Sequence, residues 1–182
     1  MKIAVFCGYN FGEGQEFRRA ATELGSVLAQ RKIGLIYGGA AAGLMGLIAD
    51  AALAEGGEVI GIIPKALHAR EGAHPSLSEL VVVPTLQDRK DRQRDLADAF
   101  IAMPGGLGTI DELISFWAMN QLGEMDKPIG VLNVSGYYDS IFSFFAQAQA
   151  QGFFTAGNKA APTVNDNPTQ LVDAVASRIR VT

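Results

Sequence analysis

Short runs that are apolar at nearly every position recur along the chain: KIAVFC (2–7), IGLIYG (33–38), EVIGIIP (58–64), ELVVVP (79–84), AFIAMP (99–104) and PIGVLNV (128–134). Continuously apolar runs of this length are expected of strands covered on both faces. Between them, segments near 15–30, 43–55, 86–97, 109–122, 137–150 and 168–179 carry the spacing of helices. Strand and helix in alternation predict a parallel sheet joined by right-handed crossovers. The expected fold class is therefore α/β: a Rossmann-like, doubly wound parallel sheet with helices on both faces, formed as a single domain over 1–182. The stretch 155–168 reads as a long loop, with a candidate short edge strand at Pro162-Thr163-Val164.

Composition narrows the classes. Apolar residues make up 48% of the chain and charged residues 19%, which is the balance of a packed domain. A net charge of −4 offers no general attraction to nucleic acid or to an acidic membrane. No apolar run approaches the roughly 20 residues of a membrane span, and MKIAVFCG is too short for a signal peptide. One cysteine, Cys7, forms no internal disulfide, and with His68 and His74 it makes a poor zinc set. A cytoplasmic protein without a metal is the expectation. Cys7 reads as buried packing material, the aromatic run Tyr137, Tyr138, Phe142, Phe144 and Phe145 as core or subunit contact, and the loop holding His68 and His74 as solvated.

In doubly wound sheets, ligands bind beyond the carboxyl ends of the strands. Three loops at such ends are rich in glycine: CGYNFGEG (7–14), YGGAAAGLMG (37–46) and MPGGLGT (103–109). Each opens a helix, and bare backbone N–H groups at a helix N-terminus form an anion site. No loop ends in Gly-Lys-Ser/Thr, which excludes a Walker P-loop. The first loop is not Gly-x-Gly-x-x-Gly and the second strand ends in Tyr37-Gly38-Gly39 without an acidic residue, which disfavours NAD. A mononucleotide or a sugar phosphate remains.

Two charged residues stand out. Thr109-Ile110-Asp111-Glu112 has capping-box spacing, with a helix starting at Thr109. Glu112 would then border the anion site, and Leu113, Ile114, Trp117 and Leu122 would carry the helix into the core. In the charged segment 86–97, a helical projection places Leu86, Arg89, Gln93, Leu96 and Ala97 on one arc and Asp88, Asp91 and Asp95 on the other. Arg89 thus faces inward, where it needs either a structural carboxylate or a bound anion as partner.

Pro104-Gly105-Gly106-Leu107-Gly108-Thr109-Ile110-Asp111-Glu112 fits the signature PGGxGTxxE at every defined position. Through it the chain resembles the Lonely Guy (LOG) family of cytokinin-activating phosphoribohydrolases, which carry an old lysine-decarboxylase label. VFCG, YGGAAAGLMG, ADAFIAMPGG, QLGEMDKPIGVLNVSGYYDS and GFF (152–154) extend the resemblance over nearly the whole chain. It implies hydrolysis of the N-glycosidic bond of a purine riboside 5′-monophosphate, with Arg89 and Glu112 as the catalytic pair. It also implies phosphate and substrate contacts from Gly8, Gly38, Gly39, Gly43, Lys90, Gly105, Gly106, Gly108 and Thr109, no cofactor, and a homodimer or an assembly of dimers. No lysine in a Schiff-base context supports decarboxylation.

The chain departs from the family pattern at Leu86-Gln87-Asp88, where a methionine and a histidine are usual, and at Ala40-Ala41-Ala42, where a glycine and an asparagine are usual. It also departs at Tyr9-Asn10 and at Met119, where serines and a tryptophan are common. These changes surround the expected base and ribose pocket, so base preference is where this chain is expected to differ. The alternative class is a non-catalytic carrier of a nucleotide or molybdenum cofactor on the same fold.

Overall fold

A computed structural model describes residues 1–153 and 161–179. Its sheet holds β1 (Lys2–Phe6), β2 (Gly34–Tyr37), β3 (Val59–Pro64), β4 (Glu79–Val83), β5 (Ala99–Ala102), β6 (Ile129–Leu132) and β7 (Thr163–Asn165). Their order across the sheet is β4-β3-β2-β1-β5-β6-β7, and every pair is parallel. The helices are α1 (Gln15–Gln30), α2 (Gly43–Ala54), α3 (Lys65–Glu71), α4 (Leu86–Leu96), α5 (Leu107–Leu122), α6 (Asp139–Ala150) and α7 (Pro168–Ala176).

Alternate strand residues feed two separate cores, as the period of two along a strand requires. Ile3, Val5, Leu35, Tyr37 and Ile101 pack with α1, α2 and α7 on one face. Ala4, Phe6, Ile36, Phe100 and Ala102 pack with α5 and α6 on the other. The helices therefore cover both faces, as the apolar runs predict. In the second core Phe6, Phe100 and Phe116 stack, the last two with ring centroids 4.3 Å apart. Burying each such ring is worth ~1.5–3 kcal/mol, and Phe116 lies one turn beyond Glu112. The same stack that secures α5 to β1 and β5 thus sets where Glu112 stands. Gly123 ends α5 in the left-handed conformation, with Glu124 N–H closing on Met119 O at 2.9 Å.

The chain order reverses between β1 and β5, from which strands run outward on both sides. This is the switch point at which loops diverge and leave a crevice.

Several details differ from the sequence reading. Helix α3 was not expected, because its seven residues bury none of their side chains and carry no apolar period. Leu86 and Leu122, expected to face inward, are 55% and 74% exposed. The candidate edge strand forms as β7 beside β6. The rest of the expected long loop, at 155–160, and the end of GFF at Phe154 lie outside the described residues.

Candidate active site

Helix α5 does not start at Thr109. Its N-cap is Gly106, no side chain caps it, and Ile110 N–H already closes on Gly106 O at 3.1 Å. The expected capping box is therefore absent: Thr109 is the third helical residue and Glu112 lies deeper in the helix. The chain enters extended at Gly106, so the N-cap falls three residues before the expected Thr109. The first N–H groups of a helix have no partner within it. Those of Leu107, Gly108 and Thr109 have no acceptor among the described residues. Gly108 and Thr109 among them line a cavity of about 420 Å³.

The cavity lies over the switch point. Gly8, Gly38, Gly105, Gly106, Gly108 and Thr109 line it, together with Arg89 and Glu112. A Cβ on Gly105 would fall 2.2 Å from Thr109 Oγ1, so that glycine lets the threonine pack against the loop. Gly39, Gly43 and Lys90 are not in the lining. Gly39 packs against Gly61 and Ile63. At Gly43 φ is +60°, and a Cβ would meet Tyr9 O at 1.9 Å, so this glycine joins two loops rather than facing the cavity. Lys90 Nζ binds Asp111 Oδ2 at 3.1 Å and Ser115 Oγ at 3.3 Å, bracing α4 against α5.

Gly8 links the loops. Its N–H donates to Pro104 O at 3.0 Å, and its carbonyl accepts from Leu44 N–H at 3.1 Å. One residue thereby ties the exits of β1 and β5 to the start of α2.

Arg89 faces inward as the projection predicts, and its partner is Glu112: Nη2 lies 3.0 Å from Oε1. The two side chains are only 13% and 9% exposed. Gln93, fully buried one turn further along α4, donates from Nε2 to the same oxygen at 3.4 Å. Burial pushes the Glu112 carboxyl above the usual carboxylate range, opposed first by Arg89 and then by the Gln93 hydrogen bond. Burial, reinforced by the charge of Glu112, drives the Cys7 thiol far above its ordinary value. Cys7 therefore stays protonated and lines the cavity as packing, not as a nucleophile.

Two tyrosines read from the sequence as core or subunit contact also serve the site: Tyr138 is buried in the core, and Tyr137 lines the cavity. Tyr137, half exposed, donates to Gly105 O at 2.6 Å, and Tyr138 donates to Met103 O at 2.5 Å. The two hydroxyls brace the glycine loop from the far side, so these tyrosines belong to the site's frame. Their place after β6, at another strand exit, was the available signal. Phe11, Phe17, Met45 and Leu67 add an apolar wall. Arg70 and Glu71 of α3 lie at the mouth and pair with each other. His74 is not solvated: it is buried, with Nε2 2.9 Å from Asp50 Oδ1. Ser76 N–H donates to its Nδ1 at 3.2 Å, so Nε2 holds the proton and donates to Asp50.

No group of three histidine, cysteine or acidic side chains among the described residues is arranged to hold a metal ion. No helix among them is long and apolar enough to cross a membrane.

The chain is similar to several known proteins. Residues 45–175 match the profile of a family described as "Possible lysine decarboxylase". The chain is 44% identical over 169 residues to a rice protein (Oryza sativa subsp. japonica) named "Probable cytokinin riboside 5'-monophosphate phosphoribohydrolase LOGL1", covering 91% of this chain and 76% of that one. It is 41% identical over 184 residues to the Arabidopsis thaliana cytokinin riboside 5′-monophosphate phosphoribohydrolase LOG1, covering 99% and 86%. Among solved structures, the molybdenum cofactor binding protein of Rippkaea orientalis superposes with a TM-score of 0.73 at 21% identity, over 98% of this chain and 97% of that one. At that identity the likeness is one of fold.

Proposed function

This chain belongs to the LOG family, and we propose that it hydrolyses the N-glycosidic bond of purine riboside 5′-monophosphates, releasing free base and ribose 5-phosphate. One observation carries the reading. A buried Arg89–Glu112 pair shares a cavity with the uncapped N-terminus of α5. The helix start suits a phosphate, and the carboxylate suits the ribose beside it.

In this reading the 5′-phosphate accepts hydrogen bonds from the N–H groups at Leu107, Gly108 and Thr109. Gly106 and Gly108 keep the approach open, since a Cβ on either would meet no atom within 4 Å. As the bond between C1′ and the ring nitrogen lengthens, positive charge develops on the ribose, and Glu112 stabilises it. Water adds its oxygen to C1′. The proton that water sheds passes through Glu112 and ends on the departing nitrogen. Arg89 holds Glu112 in place and offers its fork of donors to sugar hydroxyls or phosphate when substrate enters.

The working unit in this reading is a homodimer or an assembly of dimers, which would cover exposed apolar side chains such as Leu122 and Phe144. A cytoplasmic setting suits its single, unbridged cysteine. Chromatography of the products from AMP and from isopentenyl-AMP tests the activity, beside folded Glu112→Ala and Arg89→Ala. Base released by the wild type and not by Glu112→Ala is the expected result, and the ratio of the two bases gives the preference. Nucleotide bound without base release would overturn the hydrolase reading in favour of a carrier.

A further inference from the structure

Gln93 is the one fully buried side chain of α4 among the described residues, and it is polar. Its amide nitrogen is spent on Glu112 Oε1. Its amide oxygen is buried without a partner, as is the neighbouring Arg89 Nε. Such orphaned atoms detract from stability, so an unbranched apolar side chain would serve the fold better there. Gln93 does not line the cavity, and hence meets no substrate. What it does reach is the oxygen that Arg89 also holds. The Gln93 hydrogen bond and the Arg89 ion pair both fall on Oε1, which restrains the rotation of the carboxyl group, and Oε2 accepts no hydrogen bond among the described residues.

We propose that Gln93 is a positioning residue for Glu112, pinning Oε1 from behind the cavity wall so that Oε2 is the atom turned toward water and ribose. The inference rests on the hydrolase reading. Its physical content is that a carboxylate must be held within a narrow range of angle to act on a bound atom, and that a donor to the carboxylate favours its ionised form. The other titratable or charged groups around Glu112 are Arg89 and Lys90 of α4, Asp111 of its own helix and Cys7 beyond β1. Gln93 is the uncharged donor among them.

The test is Gln93→Met, which keeps length and volume but removes the donor. The expected result is a fall in kcat of about 10- to 100-fold with KM nearly unchanged. The acid limb of the rate profile moves to higher pH, and Tm does not fall. Gln93→Glu, which keeps the shape but adds a like charge, moves the limb the same way and decides the matter if the methionine variant does not fold. A lower Tm with an unmoved pH limb in both variants would mean that Gln93 is packing alone, and overturns the proposal. The Glu112 carboxyl carbon, assigned by its loss in Glu112→Gln, can be titrated by NMR without nucleotide. Should the wild type release no base, the hydrolase reading fails. The titration then still decides the local role: a midpoint raised by Gln93→Met supports the pinning of Glu112, and an unmoved midpoint overturns it.

Discussion

Helices α4 and α5 carry the same pattern near their starts, Thr85-x-x-Asp88 and Thr109-x-x-Glu112, and only the first forms a box. At α4 the chain enters extended, Thr85 Oγ1 accepts from Asp88 N–H at 3.1 Å, and Asp88 Oδ2 accepts from Thr85 N–H at 2.9 Å. Every group in that exchange is satisfied locally. At α5 the helix starts at Leu107, after the two glycines, so threonine and glutamate land inside it. Thr109 then packs on Gly105, Glu112 turns to Arg89, and the helix start remains open. A closed start stabilises and does nothing further. An open start forgoes that stabilisation and is free to hold an anion.

The sharpest way to break the contrast is to neutralise both acids. Glu112→Gln is expected to lower kcat by about 10²- to 10⁴-fold, the range for a general acid or base, whereas Asp88→Asn leaves steady-state rates unchanged. The glycines come next. Gly106→Ala meets no atom and fits its backbone, so Tm should hold while KM for the nucleotide rises by ~10-fold or more, about 1.4 kcal/mol of lost phosphate contact. Gly105→Ala collides with Thr109 and should cost ~1–3 kcal/mol in denaturant melts. Thr85→Ala, at the closed start, is expected to cost about 1 kcal/mol with no kinetic effect.

The smallest effect is a slope. The Glu112 carboxyl is raised in the fold, so its contribution to stability is fully present at low pH and is lost as pH rises through its folded value. The Tm of Glu112→Gln relative to wild type should therefore climb as pH rises from the ordinary carboxylate range. A difference that is flat with pH would mean that Glu112 is no harder to ionise in the fold than in the unfolded chain.

Much of this was legible in the sequence because it rests on local rules. The strands followed from their apolar runs, and the inward face of Arg89 and Gln93 followed from helical projection. The glycine loops were placed by their position after strands. What escaped depends on groups distant in the chain. The start of α5 was misjudged because a Thr-x-x-Glu spacing does not reveal how the preceding backbone arrives. Helix α3 has no buried face to give it a period. Tyr137 became part of the site through Gly105, thirty-two positions away. Leu122 was misplaced because a helix end can run past the edge of the core it serves.

Gly8 bears on how such a protein changes over generations. With its two hydrogen bonds, and with Gly43 pressed on the Tyr9 carbonyl, it makes three loops into one jointed piece. A substitution in any one of them must be accommodated by the other two at once. Phe17 and Leu67 reach the cavity from outside that joint, and variation there can reshape the room for a base while the anion cradle is inherited intact. Drift in substrate preference should therefore accumulate on the outer wall, and laboratory selection for a new base should find its first winners at those two positions.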